Sequence, residues 1–241
     1  MVPPTFDARV VSTRPLSPSV REIAFERTDG APFEFEPGQW VSLLLPCPGG
    51  EIRRAYSIAS PPRHGATFEV AVTRVEGGAG SLALHALEPG QMVRVIGPQG
   101  FFTRPSGAPP ALFIGTGTGL APLRSMLHAQ ASEAPVWLLF GARTEADLLY
   151  RDELAALARA HAGVRIALTL SQPGEAWGGR RGYVQTHARA LYEELAAKTQ
   201  GGGAAPHVYV CGLERMVGAV RALFRQEMGL ARQLVHSERY D

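Results

Sequence analysis

Lysine is nearly absent from this sequence. Of 24 basic residues, 23 are arginine and one, Lys198, is lysine. A base-composition bias in the genome accounts for that, so arginine abundance does not by itself point to phosphate binding, although single positions can. Cysteine is scarce too, with only Cys47 and Cys211. Two thiols build neither a disulfide framework nor a four-thiolate iron–sulfur site, and a reduced, cytoplasmic protein without a metal site is expected. No apolar run reaches the roughly 18 residues a membrane helix needs. The opening Met1-Val2-Pro3-Pro4-Thr5-Phe6-Asp7 lacks the basic and apolar segments of a signal peptide, so none is expected. A large excess of one charge is missing as well. A formal net charge of +2 leaves no nucleic-acid footprint. The 27 Gly and 19 Pro are scattered rather than periodic, which excludes collagen-like and low-complexity chains.

What is present is a 241-residue chain, 45% hydrophobic, long enough for two small domains with real cores. Its pattern changes midway. From Phe6 to Pro98 short alternating runs predict six strands, at Ala8–Thr13, Val20–Arg27, Gln39–Leu45, Ile52–Ala59, Phe68–Val75 and Met92–Ile96, with one helical turn at Ser81–Leu87. Turn signals such as Glu88-Pro89-Gly90 separate them, which suits a sandwich or a small antiparallel barrel. After Gly107-Ala108-Pro109-Pro110 continuous apolar strands alternate with helices. The strands are Ala111–Gly115, Val136–Gly141, Val164–Leu170, His207–Cys211 and Gln233–His236. The helices are Ala121–Ala131, Ala146–Ala160, Val184–Ala197 and Glu214–Met228. That alternation predicts a parallel sheet covered on both faces. The domains are expected at residues 1–107 and 108–241.

Ligands of open parallel sheets bind beyond the carboxyl ends of the strands. One such end reads Gly115-Thr116-Gly117-Thr118-Gly119-Leu120-Ala121-Pro122. Its glycines allow close approach to a phosphate, its threonines offer hydroxyls, and Pro122 suits a first helical turn; a tight strand-to-helix turn is the alternative. A second end carries Arg143, suited to a nucleotide 2′-phosphate or simply a solvated loop arginine. A third carries Cys211-Gly212, a reactive thiol or a small buried hydrophobe. In the first half, Arg54-Ala55-Tyr56-Ser57 interrupts a strand with a phosphate-gripping fork, a stacking ring and a hydroxyl, or forms an outward polar edge. Gly78-Ala79-Gly80-Ser81 offers a second phosphate cradle with Ser81 as a cap, or a hairpin loop.

Taken in order, these residues resemble the ferredoxin–NADP reductase family. Arg54-Ala55-Tyr56-Ser57-Ile58-Ala59-Ser60 is similar to its flavin signature, Gly78-Ala79-Gly80-Ser81 to its second flavin-phosphate motif, Gly115 through Pro122 to its nicotinamide-nucleotide loop, and Cys211-Gly212 with Met216 to its C-G-x-x-x-M element. The resemblance spans the chain. It implies a six-stranded antiparallel flavin-binding β-barrel followed by an α/β NAD(P) domain with a five-stranded parallel sheet. It implies that Arg54, Ala55, Tyr56 and Ser57 hold the flavin, with Ser57 near N5, and that Gly80 and Ser81 bind the pyrophosphate. Gly115, Thr116, Gly117, Thr118, Gly119, Cys211 and Gly212 would hold the nicotinamide nucleotide, with Cys211 beside the nicotinamide C4. Arg143 and one of Arg180 or Arg181 would select NADPH over NADH, and Ser171 would begin the 2′-phosphate element, although Gln172 stands where members commonly have arginine. The Glu238-Arg239-Tyr240 tail matches an E-x-Y ending of plant-type members, which implies Tyr240 over the flavin face and Glu238 near the nicotinamide; here Asp241 follows. Ser57, Cys211 and Glu238 are thus the candidate catalytic residues.

The implied chemistry is hydride transfer from NAD(P)H to FAD (FMN being less favoured), then electron transfer to a separate ferredoxin or flavodoxin. The alternatives are the reductase component of an oxygenase, a diaphorase, and a non-catalytic flavin-binding subunit of a larger complex. A monomer is expected.

Overall fold

The computed structural model describes residues 3–47, 49–62, 65–199 and 204–240. The chain forms two compact units. One comprises the residues up to Arg104 together with Arg124–Ala129; the other comprises Pro105–Leu123 and Gln130 onward.

In the first unit, β1 (Thr5–Pro15), β2 (Val20–Arg27), β3 (Trp40–Cys47), β4 (Gly50–Ser57), β5 (Thr67–Thr73) and β6 (Met92–Gln99) make one antiparallel sheet in the order β4-β3-β6-β1-β2-β5. A bridge between Ile58 and Val70 joins its two edges, so the sheet curls into the expected barrel. Alternation drives the curl: along β1, Phe6, Ala8 and Val10 are buried while Thr5, Asp7 and Arg9 face water. Four phenylalanines fill the interior. Phe33 and Phe68 lie 4.4 Å apart and Phe25 stacks on Phe68 at 5.4 Å. Each buried ring is worth roughly 1.5–3 kcal/mol. An ion pair joins a buried arginine to a largely covered carboxylate. Arg124 Nη1 donates to Glu69 Oε2 at 2.9 Å and to the Ala59 carbonyl at 2.8 Å. Breaking such a pair costs about 3–5 kcal/mol, against roughly 0–1 for exposed pairs such as Arg9–Glu26.

A short helix between β5 and β6, α1, runs over Ala79–His85. Its N-cap is Gly78, with no side-chain cap. Ser81 does not cap it as the sequence suggested. It sits inside the first turn, and its hydroxyl accepts from Val75 N–H at 3.0 Å and donates back to the Gly78 carbonyl at 3.0 Å. The hydroxyl is spent closing the loop that precedes the helix.

In the second unit a parallel sheet has the order β10-β9-β8-β7-β11-β12, built from β7 (Ala111–Thr116), β8 (Val136–Ala142), β9 (Val164–Leu170), β10 (Arg180–Arg181), β11 (His207–Leu213) and β12 (Val235–Tyr240). It has six strands rather than the expected five. The sixth, β10, is two arginines paired with Thr169 and Leu170, too short and too polar to show a period. The helices are α2 (Leu120–Gln130), α3 (Arg151–Ala160), α4 (Gln185–Lys198) and α5 (Glu214–Ala222). The helix expected at Ala146–Ala160 is split. Glu145–Asp147 is a 3₁₀ turn closed by a Thr144–Asp147 capping box, and α3 begins only after Tyr150, whose φ is 53°. The helix expected to reach Met228 passes into a π-turn at Leu223–Glu227. The last strand also differs from expectation. It extends through Tyr240, pairing Cys211 with Glu238 and Leu213 with Tyr240, because its polar residues lie on an edge strand where one side faces water.

The order of the central strands matters most. The chain runs outward from β7 through β8 to β9, then returns to place β11 on the other side of β7. The direction of winding reverses between β7 and β11, and their carboxyl ends flank the crevice where such sheets bind ligands.

Candidate functional site

In the barrel, β4 brings two chemistries to one face. Strand alternation puts Arg54 and Tyr56 on the same side and Ala55 and Ser57 on the other. Arg54 is exposed, and its one hydrogen bond goes to the neighbouring Arg53 carbonyl at 2.9 Å. No carboxylate neutralises it among the described residues. Its side chain lies directly over Gly80 of α1. A Cβ at Gly80 would stand 2.9 Å from Arg54 Cγ, so the missing side chain is what lets the guanidinium rest there. The flavin-signature strand and the G-x-G-S segment, some 25 residues apart, therefore meet. Tyr56 is half-buried against the barrel core. Burial pushes its phenol above the ordinary value, and the nearby Arg54 charge works against that rise. Ser57 is buried at the end of β4, opposite Trp40.

An unneutralised cation held against a side-chain-free turn suits a diphosphate, and a half-buried aromatic beside it suits a planar heterocycle. The residues present fit a flavin dinucleotide.

The second unit builds its site from backbone. Gly119 rests on the end of β11: a Cβ there would stand 2.3 Å from the Cys211 carbonyl oxygen and 2.7 Å from Gly212 Cα. Gly212, at φ 146°, is closed from the other side, where a Cβ would meet Thr116 Oγ1 at 2.7 Å and Met216 Cε at 2.8 Å. The glycine loop after β7 and the C-G-x-x-x-M element after β11 are thus one close-packed piece at the reversal point. Gly117 adopts φ 54° with nothing near its Cα, so the loop presents bare backbone. Thr116 Oγ1 is buried and has no hydrogen-bond partner among the described residues. Open glycine backbone beside an unpartnered hydroxyl fits a nucleotide phosphate.

Cys211 is fully buried between Gly115 of β7 and Glu238 of β12. Burial pushes its thiol far above the ordinary value and the Glu238 carboxylate adds to that, while a side-chain hydrogen bond with Tyr240 opposes it. The sulfur is therefore a neutral thiol. Tyr240, half-buried, is held in regular strand rather than left as a fraying tail. Asp241 lies outside the described residues.

At the far edge, Ser171 N–H donates to the Ala142 carbonyl at 3.0 Å and Gln172 N–H to the Arg143 carbonyl at 2.8 Å. Those bonds place Ser171 beside Arg143, whose exposed guanidinium has no partner among the described residues. The two candidate arginines of β10 separate. Arg181 Nη2 donates to the Gly174, Glu175 and Trp177 carbonyls at 3.3, 3.4 and 3.0 Å, so it fastens its own loop. Arg180 uses only its backbone, its carbonyl accepting from Trp177 Nε1 at 2.8 Å. Among the described residues, the Arg143 and Arg180 side chains have no hydrogen-bond or ion-pair partner. The buried Arg124 was missed in the sequence; a charged residue inside the apolar Leu120-Ala121-Pro122-Leu123-Arg124-Ser125-Met126-Leu127 segment was its signal.

The two sites define a flavin- and nicotinamide-nucleotide-dependent oxidoreductase, with a dinucleotide cradle in a β-barrel and a second in a doubly wound sheet. Comparison with known proteins agrees. Residues 7–103 match the oxidoreductase FAD-binding domain and residues 113–222 the oxidoreductase NAD-binding domain. The chain is 59% identical over 240 residues to ferredoxin–NADP reductase B of Sorangium cellulosum, covering 98% of both chains. It is 30% identical to the phenol hydroxylase P5 protein of Acinetobacter pittii, of which it covers 65%. Among solved structures, an Amycolatopsis cytochrome P450 reductase is 30% identical with a TM-score of 0.79, 98% of this chain matching 70% of that one. The chain belongs to the ferredoxin–NADP reductase family. No helix among the described residues is long and apolar enough to cross a membrane.

Proposed function

We propose that this chain is an NADPH-dependent reductase that passes electrons from bound FAD to a separate iron–sulfur carrier of the ferredoxin class. Bound there, FAD would supply two-electron-to-one-electron chemistry, taking up one hydride and giving its two electrons away singly. The residues around it bind and orient. Arg54 holds the diphosphate, with Gly80 clearing its path, and Tyr56 supports the isoalloxazine ring. Ser57 contributes a polar group near the ring's reactive edge.

In the second unit, Thr116 and the Gly115–Gly119 backbone hold the nicotinamide nucleotide, with Gly212 giving it close approach to the end of β11. Cys211, a buried neutral thiol, would lie beneath the nicotinamide end of the site without competing as a nucleophile. Glu238 and Tyr240 fix that thiol's orientation from β12. Arg143 and Arg180, with Ser171 between them in sequence, accept a 2′-phosphate.

The observation that carries this reading is the fused constellation at the reversal of the sheet, where Thr116, Gly119, Cys211 and Gly212 occupy one close-packed end. The full-length likeness to a ferredoxin–NADP reductase supports the carrier assignment. The likeness to oxygenase reductase components, of which this chain spans about three fifths, keeps an oxygenase as the second partner class.

The deciding experiment is an anaerobic titration of the purified yellow protein with NADPH and with NADH, followed by a two-iron ferredoxin or a flavodoxin as acceptor. Rapid flavin bleaching by NADPH and reduction of the carrier are expected. Equal or better kcat/KM with NADH refutes the nucleotide preference, and no reduction by either refutes the catalytic assignment.

A further inference from the structure

α1 is seven residues long, too short to persist without tertiary support. Its two ends are tied differently. At the start, Ser81 closes the loop from Val75 to Gly78. At the finish, three strands hold it. The Arg21 guanidinium, from β2, donates through Nη1 to the His85 carbonyl and through Nη2 to Thr13 Oγ1 of β1 at 2.6 Å. His85 itself turns its ring to β5, where Nε2 donates to the Val72 carbonyl at 2.9 Å.

Arg21 has no carboxylate partner among the described residues; its neighbour Glu22 is taken by Arg14, at 2.5 and 3.2 Å. Its two terminal nitrogens are committed to one helix carbonyl and one hydroxyl. Neither the flavin signature nor the G-x-G-S segment includes it.

We propose that Arg21 is a positioning residue for flavin retention, acting through α1 and Gly80 on Arg54. This rests on the flavin site proposed above. Because Arg54 lies within 2.9 Å of where a Gly80 side chain would begin, any shift of α1 moves the surface that sets the Arg54 guanidinium. Arg21 fixes that surface from the opposite end of the helix. Arginine is required because a planar fork reaches the His85 carbonyl and Thr13 together, whereas a lysine ammonium reaches one. The helix carries Arg54's footing rather than the flavin ring, so the effect falls on the phosphate-bearing part of the ligand.

The test measures binding of FAD and of riboflavin, which lacks phosphate, to the deflavinated full-length protein by quenching of flavin fluorescence. Arg21→Ala is expected to weaken FAD about tenfold and Arg21→Lys about threefold, while riboflavin stays within about twofold. Equal weakening of both ligands overturns the proposal, since Arg21 then supports the barrel in general; so does unchanged FAD affinity. If Arg21→Ala does not fold, Thr13→Val removes one of the two bonds, and it is expected to weaken FAD about threefold and spare riboflavin. Unchanged FAD binding in Thr13→Val then overturns the proposal. Arg54→Ala runs alongside. Should it leave FAD affinity untouched, the flavin site itself is misassigned; should it weaken FAD while Arg21→Ala does not, only the role of Arg21 falls.

Discussion

The two units solve the same problem, an anionic dinucleotide, with different materials. In the barrel the proposed anchor is a long side chain, Arg54, and a Cβ added at the glycine beneath it would meet only side-chain atoms, Arg54 Cγ and Nε and Ile52 Cδ1. In the α/β unit the proposed anchor is backbone, and a Cβ added at Gly119 would meet the Cys211 carbonyl and Gly212 Cα, which have nowhere to go. A side-chain site can lose its ligand and keep its fold. A backbone site is part of the fold, so binding and stability fail together.

The sharpest way to break that contrast is a matched pair of glycine substitutions. Gly119→Ala forces a methyl to 2.3 Å from a carbonyl oxygen of the central sheet. Overpacking against backbone is expected to cost roughly 3 kcal/mol or more and to remove nucleotide binding with it, read as a fall in Tm and in NADP⁺ affinity. Gly80→Ala meets only a movable side chain; it is expected to leave Tm nearly unchanged and weaken FAD about tenfold. If Gly119→Ala melts like wild type, the backbone account of that site is wrong.

Next in size is nucleotide choice. Replacing Arg143 and Arg180 together by alanine removes two charge-assisted contacts, about 3–5 kcal/mol in all. NADPH kcat/KM should fall two to three orders of magnitude while NADH changes little. Arg181→Ala should leave the ratio of the two intact and lower Tm instead, since its fork is bonded to the 174–177 loop. A change of ratio in Arg181→Ala would reverse the assignment of the two arginines.

A smaller effect concerns acid stability of the α/β unit alone. His207 Nδ1 and His236 Nε2 lie 3.0 Å apart with ring planes 17° from parallel and centroids 5.2 Å apart, so one ring nitrogen hydrogen-bonds to the other. Tyr209 stacks on His236 at 4.4 Å. Burial, then the neighbouring His207, lowers the His236 pKa below its usual 6.5. A base with a lowered folded pKa adds stability above its unfolded pKa and loses it as pH falls through that value towards the folded one. Wild type should therefore lose more Tm than His236→Gln between pH 8 and pH 5.5. Parallel losses would show that the pair is not what titrates.

How far the sequence carried the reading also divides by unit. The barrel's six strands and the sheet's main strands were legible because alternation and continuous apolar runs are local signals. The two-residue β10 and the polar end of β12 were not, since pairing with β9 and β11 decides them. Glycine spacing pointed to both cradles, yet nothing local showed that Gly119 and Gly212 would lean on the same backbone. Arg180 and Arg181 were indistinguishable as adjacent letters; alternation on the strand and a loop of bare carbonyls separate them. Ser81 looked like a cap by position, and only its bonds to Val75 and Gly78 give it another task.

The burial of Cys211 has a consequence for chemical durability. Sulfur reacts with peroxides and alkylating agents as thiolate, and from there climbs the oxidation ladder. The raised pKa and the closed strands around Cys211 keep it off the first rung. Cys47, only half covered and with its sulfur 3.9 Å from the Ala79 carbonyl, has less shelter. Under oxidants, damage should thus begin at Cys47, and the sulfur buried at the end of β11 should outlast it.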